Sequence, residues 1–411
     1  MHSGIAKTFL LLAGVCAVSA LPAQDLSQYT TFTVDGKTVQ IHGFASQGFM
    51  YSGNNNYLSA NTTDGSFQMT DAGVNISSQI TDKFRVGAQV YMFDVGKLGD
   101  YHPEIDWAYG SYKFSDWFGI RAGKVKTTFG LFTDTQDMTF LSTFAMLPQA
   151  IYPIDRRDES LAHTGGDIFG TIPLKQAGSL SYTGFAGDSW DTHNGGFIYS
   201  LLASGSGINL TKFGGLEAGG DLRWNVPLNG MVVGASYMRQ YFSGNGTCEG
   251  GACPFFNAGG NGPYWESARN DYNTQFYGEY VHGRFRFDAE HRRTVRDHTI
   301  FSGANMNAFD IRAFYVAGAY RLSKHFELGS YYSRGIAHMD SSDIPDNVTH
   351  ILDKVVCLRY DITTAWNVKV EGHFMNGVGS KFLPWGFYPS VNPQGLVDQT
   401  PLLVVRTGWY F

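Results

Sequence analysis

Charge is scarce in this chain: Asp, Glu, Lys and Arg make up 16% of its 411 residues, and the formal net charge is −6. A mildly acidic chain lacks the basic footprint that nucleic-acid binding requires. No Pro/Ser-rich linker, charge block or shift of composition divides it, although its length alone would suggest two or three soluble domains. Beyond the N-terminus no apolar stretch is long enough for a membrane helix, so a membrane-spanning form has to be a barrel. No Walker A or dinucleotide fingerprint follows a strand and opens a helix. Neither a cofactor nor a metal site is called for.

What is abundant is glycine and aromatic side chain: 50 Gly, 31 Phe and 23 Tyr. That composition favours one large β structure over separate soluble units. The start, "MHSGIAKTFLLLAGVCAVSALPA", sets Lys7 before an apolar run and small residues at Ala20 and Ala23, the arrangement of a secretory signal. The expected organisation is a signal peptide over 1–23, a short N-terminal segment over 24–37, and a barrel over 38–411. With Cys16 in the leader, three of the four cysteines remain. Cys248 and Cys253 bracket "EGGA" and suit a small disulfide in an oxidising compartment. Zinc is the alternative, but no His pair stands nearby at ligand spacing. Cys357 is left as a lone thiol.

Period-two alternation runs through the rest. In "DKVVCLRYDI" Asp353, Val355, Cys357, Arg359 and Asp361 share one face, opposite Val356, Leu358, Tyr360 and Ile362. After "TTA", Asn367, Lys369, Glu371 and His373 alternate with Val368, Val370, Gly372 and Phe374. Such strands suit a wall with one face on lipid and one on water. A soluble sandwich alternates as well, so two further features decide.

The first is the spacing of turns. Strands are expected near 38–51, 67–80, 84–93, 105–114, 118–126, 164–173, 178–187, 216–226, 231–242, 272–281, 284–293, 310–322, 326–335, 350–362, 366–376 and 401–411. Short turns and long Gly/Asn-rich loops connect them in strict alternation, as in a transmembrane antiparallel β-barrel of about 16 strands. The second is the end, "PLLVVRTGWYF". Arg406 belongs on the lumen face, because a charge at the lipid midplane costs on the order of 2–4 kcal/mol. Parity then sends Leu403, Val405, Thr407, Trp409 and Phe411 to lipid. This last strand has to pair with the first, because an open edge in lipid leaves backbone groups unsatisfied.

The strands "VQIHGFASQGFMY", "GIRAGKVKTTFG" and "LRYDITTAWNVKVEGHF", with the terminal "RTGWYF", resemble the 16-stranded bacterial porins, and within them the porin O/P-like group loosely called phosphate-selective. The resemblance implies a Gram-negative outer-membrane channel for passive diffusion of small hydrophilic solutes or ions, in contact with outer-membrane lipid and assembled as a homotrimer. It also implies that Trp409, Tyr410 and Phe411 form the signal read by the barrel-insertion machinery. The Gly/Ser/Thr-rich "HTGGDIFGTIP" and "GSLSYTGFAGD" suit a trimer contact or strand coiling.

In porins of this build the third outer loop folds into the lumen and narrows it. Here the third long connection spans residues 127–163. Its apolar Phe140, Leu141, Phe144, Met146 and Leu147 are expected to pack on the inner wall as a short helix, leaving Asp155, Arg156, Arg157, Asp158 and Glu159 at the constriction. Those charges either set a transverse field or pair with the wall and hold the loop. On the wall, parity nominates Arg85, Arg284, Arg286, Arg292, Arg359, Lys369 and Arg406 as basic and Glu371 as acidic, with Asp71, Asp288, Glu290, Asp353 and Asp361 beside them; most are expected to pair in ladders between neighbouring strands, and a minority to line the permeant path. Arg284, Arg286 and Arg292 are the sharpest cluster for guiding carboxylates or phosphates. Phosphate-selective members use lysines along the path, and residues 127–163 contain none. The expectation is therefore a weakly selective or dicarboxylate-type pore. A surface adhesin or receptor barrel is the rival reading, and a barrel lipase a further one; the lipase needs a serine beside the lipid-facing His291.

Overall fold

The computed structural model describes residues 30–191, 196–205, 207–249, 262–268, 271–296, 298–300, 304–305, 309–339, 350–379 and 385–411. The sixteen strands of the wall are β1 Lys37–Ser52, β2 Met69–Gln79, β3 Phe84–Val95, β4 Glu104–Ser115, β5 Phe118–Lys126, β6 Ala162–Pro173, β7 Ser179–Trp190 and β8 Ile208–Asn225, then β9 Met231–Cys248, β10 Asp271–His282, β11 Phe285–Arg296, β12 Phe309–Arg321, β13 Phe326–Met339, β14 His350–Asp361, β15 Trp366–Asn376 and β16 Gln399–Tyr410. Each pairs antiparallel with the next. The ring closes where β16 meets β1, from Phe44↔Tyr410 to Ser52↔Leu402. Phe411 extends the seam, exchanging backbone hydrogen bonds with Gly43 at 3.0 and 3.2 Å.

Alternation decides which face of each strand turns inward. On β15, Asn367, Lys369, Glu371 and His373 are buried while Val370 and Phe374 are exposed. On β16, Leu402, Val404 and Arg406 are buried and Leu403 is exposed. Charged side chains inside and apolar ones outside invert the pattern of a soluble protein, and a closed ring has no second sheet to pack on. A sandwich is thereby excluded, and the outward band is what a lipid-facing wall requires. No helix among the described residues is long and apolar enough to cross a membrane.

The expected strands are present within a few residues, with two differences. β8 and β9 run past the expected ends to Ile208 and Cys248, paired there with each other across an irregularity at Asn245/Gly246. A further strand, Gly262–Ala268, continues on the extended part of β9. In this Gly/Asn/Thr-rich ribbon apolar alternation is confined to Ile208 and Leu210, too short a run to mark a strand from sequence. Arg284, expected to open a strand, instead sits in the two-residue turn with Gly283, whose φ of +59° suits glycine. Cys248 is disulfide-bonded; its expected partner Cys253 lies outside the described residues, as does the expected leader over 1–23.

The main apolar cluster lies against the inward face of the wall. Phe144, Met146 and Ile151 of the β5–β6 connection pack with Tyr57, Leu58, Trp385 and Phe387 of two other long connections, and with Tyr315, Tyr331 and Val404 of the wall. A short α-helix, α1 (Gly196–Ala203), is started by Asp191, whose carboxylate accepts from the Phe197 and Ile198 N–H groups at 2.7 and 3.2 Å.

Candidate functional site

The chain leaves β5 at Thr127, whose hydroxyl meets His163 Nδ1 at 3.0 Å and Glu217 at 3.3 Å. His163 Nε2 is in turn 2.8 Å from Asp167. Phe129 is buried with Phe185 and Met238. Gly130 then turns with φ +72°, its N–H donating to Ser236 at 2.9 Å and its carbonyl accepting from Arg223 at 3.0 Å. A Cβ here would stand 2.2 Å from Gln275 Nε2 and 2.7 Å from Glu290 Oε2, so both space and backbone demand glycine. Glu290 on β11 collects the next contacts: the Leu131 N–H at 3.0 Å and the hydroxyls of Tyr152 and Tyr315, both at 2.7 Å.

Residues 139–146 form the second anchored stretch. It contains a 3₁₀ turn, Thr139–Leu141, rather than the expected longer helix. Its backbone groups are taken by charged side chains of the inward wall. Lys369 Nζ donates to the carbonyls of Thr139 and Phe144, the latter at 2.9 Å. Arg359 donates to the Ser142 carbonyl at 2.8 Å, and Arg406 to the Ala145 carbonyl at 2.9 Å. Glu371 accepts from the Ala145 and Met146 N–H groups at 2.8 and 3.0 Å, and also from His373 at 3.0 Å. The logic is that of satisfying buried backbone polar groups without a ladder. Of the apolar residues expected on the wall, Phe144 and Met146 are buried and Leu141 is exposed. Phe140 stacks on Tyr410 at 4.5 Å, and the Cys357 thiol donates to the Thr143 carbonyl.

"DRRDE" forms a 3₁₀ turn, Ile154–Glu159, kinked at Arg156, and the kink sends its two arginines apart. Arg157 is buried among carboxylates, 2.5 Å from Asp106, 3.4 Å from Asp158 and 3.8 Å from Asp137, with its guanidinium 4.0 Å from the Tyr91 ring centroid. Lys126 meets the same Asp137 at 2.9 Å. Burial opposes charge on Arg157, yet Asp106, Tyr91 and Asp137 hold its pKa above the ordinary value. Burial likewise pushes Asp137 up, but Lys126 and Arg157 outweigh it and leave its carboxyl below the usual range. Arg156 points elsewhere, over the Phe197 ring of α1 at 5.0 Å. There it lines a cavity of about 80 Å³ with Arg292, Arg296, Gln240, Asn273 and Thr294. Asp155 accepts a hydrogen bond from Tyr388.

No family model matches the chain, and no curated protein matches it. Solved structures do. OmpF of Salmonella typhi, in complex with daunomycin, aligns with TM-score 0.58 at 13% identity over 93% of this chain and 100% of its own. The loop-deletion mutant of OmpT, an outer membrane protein of Vibrio cholerae, gives 0.57 at 12% over 92% and 100%. An anion-selective porin from Comamonas acidovorans gives 0.56 at 9% over 91% and 100%. The fold is that of the outer-membrane porins.

Within that barrel the nominated wall charges separate by role. Arg292, Arg359, Lys369, Glu371 and Arg406 all bond the backbone of the β5–β6 connection. Arg286 pairs with Glu279 at 2.6 Å and Asp288 at 3.1 Å. Arg85 donates to Ser77 at 2.9 Å near the short-turn end, and Arg284 to the Leu322 carbonyl, so the expected triplet Arg284–Arg286–Arg292 is not one cluster. Glu290, Asp106, Asp137 and Arg296 belong to the site; parity with Arg292 could have found Arg296, whereas no sequence signal ties Asp106 to Arg157. His291 faces outward, and its register partners on the two neighbouring strands are Phe276 and Phe314, so no hydroxyl stands directly opposite it.

Proposed function

We propose that this chain is a porin of the Gram-negative outer membrane, a passive channel for small hydrophilic solutes. Residues 127–161 act as its constriction, and the permeant path favours anions weakly. The observation that carries the reading is the divided "DRRDE" turn. Arg157 is consumed by Asp106 and Asp137, while Arg156 joins Arg292 and Arg296 around the cavity beside β9–β12. Wall charges on β11 and β14–β16 hold the connection across the barrel, so its position is fixed by many buried bonds rather than by one hinge. Guanidiniums at a narrow passage attract carboxylates and phosphates, and the buried aspartates nearby dilute that field, which is why the preference is weak.

The homotrimer implied by the resemblance would use the small outward residues Gly166 and Gly170 of β6 and Gly184 and Ala186 of β7; the mass of the detergent-solubilised protein by light scattering checks it. The channel itself is tested in planar bilayers under a KCl gradient. Wild type is expected to give stable conductance steps with a mild anion preference, and Arg156→Ala to move the reversal potential toward cations. No conductance from correctly folded barrel sinks the porin reading in favour of an adhesin, and an unmoved potential removes Arg156 from the path.

A further inference from the structure

We propose that the cavity beside Arg156 is a binding site for short-chain aliphatic monocarboxylates, of the size of propionate and butyrate; this narrows the weak anion preference proposed above to one substrate class and rests on it. Register divides the cavity into two walls. The polar wall is Gln240 of β9, Asn273 of β10 and Arg292, Thr294 and Arg296 of β11, with Asn273 directly across from Thr294. Met238 of β9 is its apolar exception. The character changes at one strand boundary, where Arg292 faces Ala313 and Thr294 faces Ile311 of β12. Ala313 in turn faces Gly335 of β13, where a Cβ would stand 2.9 Å from the Trp385 ring. The missing side chain lets the indole lie against the wall. Ile311, Ala313 and Trp385 thus form the apolar wall, and Ile151 and Pro153 of the β5–β6 connection continue it. Neighbouring strands are about 4.8 Å apart, so an occupant touching both walls has to pass from charged to apolar within that span, the length of a small fatty acid.

The charge on the lining has one sign. Arg156 joins Arg292 and Arg296, and no carboxylate lines the cavity among the described residues. Arg156 and Arg296 lie over the Phe197 ring at 5.0 and 5.5 Å, and Arg292 over Phe129 at 5.1 Å. Such stacking occupies the flat faces of the guanidiniums and leaves recognition to their N–H edges. The amides beside them are oriented as donors too: Asn273 Oδ1 already accepts from Thr294, and Gln240 Oε1 from Asn273 at 3.1 Å. A carboxylate, which only accepts, suits such a wall. Size and the second wall then choose among anions. The cavity holds about 80 Å³, less than the roughly 150 Å³ of an apolar cavity that takes benzene, so an aromatic acid is too large. Inorganic phosphate would leave charged oxygens against Ile311 and Trp385, and a dicarboxylate would bring its second charge there, each a desolvation without a partner. An alkyl tail instead gains about fourfold in affinity for each methylene it buries.

The test is saturation-transfer NMR of the detergent-solubilised barrel titrated with acetate, propionate, butyrate and hexanoate, with succinate and inorganic phosphate as competitors of butyrate. Affinity is expected to rise about fourfold per methylene from acetate to butyrate, and to level off at hexanoate, which outgrows the cavity. Succinate, with the carbon count of butyrate and a second charge, is expected to compete at least about tenfold more weakly than butyrate itself, and phosphate likewise. Butyramide, with the same tail and no charge, is expected to give no comparable signal; a signal equal to that of butyrate would reveal partition into detergent and overturn the proposal. A flat or reversed series in wild type, or succinate or phosphate binding as tightly as butyrate, overturns it without reliance on any variant. Arg156→Gln, checked for its barrel by heat-modifiable mobility, is expected to weaken butyrate roughly tenfold through loss of a charge-assisted bond; unchanged affinity overturns the site as drawn. Conductance in bilayers separates the two readings. A barrel that binds the acids in this order and conducts nothing loses the pore and keeps the site, whereas a conducting barrel with a flat series keeps the pore and loses the site.

Discussion

Replacing Glu371 with glutamine tests whether residues 139–146 are held as the constriction. Each carboxylate oxygen is engaged: Oε2 by the Ala145 N–H at 2.8 Å, Oε1 by the Met146 N–H at 3.0 Å and by His373 at 3.0 Å. An amide in that place turns one oxygen into a donor and removes the charge from the bonds that survive. One donor left facing a donor in a buried site costs about 1–3 kcal/mol, and loss of charge assistance on the others adds to it. A total near 3 kcal/mol raises the detached fraction roughly a hundredfold. The loss is local, because no ladder bond of the wall involves the side chain. Single-channel recording of Glu371→Gln is expected to show larger and noisier steps than wild type, with the heat-modifiable band of the barrel unchanged. Steps of wild-type size and noise would refute the reasoning, since the segment would then be held without Glu371 or would not narrow the path.

Arg157→Ala leaves Asp106 and Asp137 with the Lys126 cation and the neutral Gln89 amide; breaking such a buried pair costs about 3–5 kcal/mol. Its expected signature is a lowered thermal transition and flickering current, with the reversal potential less affected than in Arg156→Ala. Gly130→Ala puts a Cβ on Gln275 and Glu290 at a left-handed φ, where a side chain costs about 1–2 kcal/mol before any clash; faster proteolysis of residues 127–161 in the folded barrel checks it. Asp137 has a folded pKa below its ordinary 3.8. Its contribution is therefore present above that value and lost as pH falls through the folded one. Asp137→Asn removes that charge at every pH, so the mutant is expected to show at neutral pH the noise that wild type gains only in strong acid; a quiet mutant current at neutral pH would contradict the assignment.

The wall was legible because each strand repeats one rule every two residues and each short turn resets it. Lys369, Glu371 and Arg406 were placed inward by parity alone. What parity could not supply is what those side chains touch, because the β5–β6 connection has no period and its path depends on partners far along the chain. Wall charges expected mostly to pair with one another in ladders include five that bond the backbone of the β5–β6 connection, and "DRRDE" reads as one patch although the kink at Arg156 sends its arginines to opposite surroundings.

The anchoring bonds also set an order of assembly. Lys369 reaches Thr139 across 230 positions of sequence, and Arg406 reaches Ala145 across 261. Contacts so distant form late, since their loop-closure entropy is met only when the intervening chain is already in place. The segment proposed as the constriction emerges before most of its anchors, which lie on the last six strands. Until the last strands are in place, residues 139–146 lack Arg359, Lys369, Glu371 and Arg406, although residues 130 and 131 already have Ser236 and Glu290 to meet. Docking of residues 139–146 is thus coupled to completion of the seam through Arg406, and a lesion at the seam is expected to loosen that stretch as well.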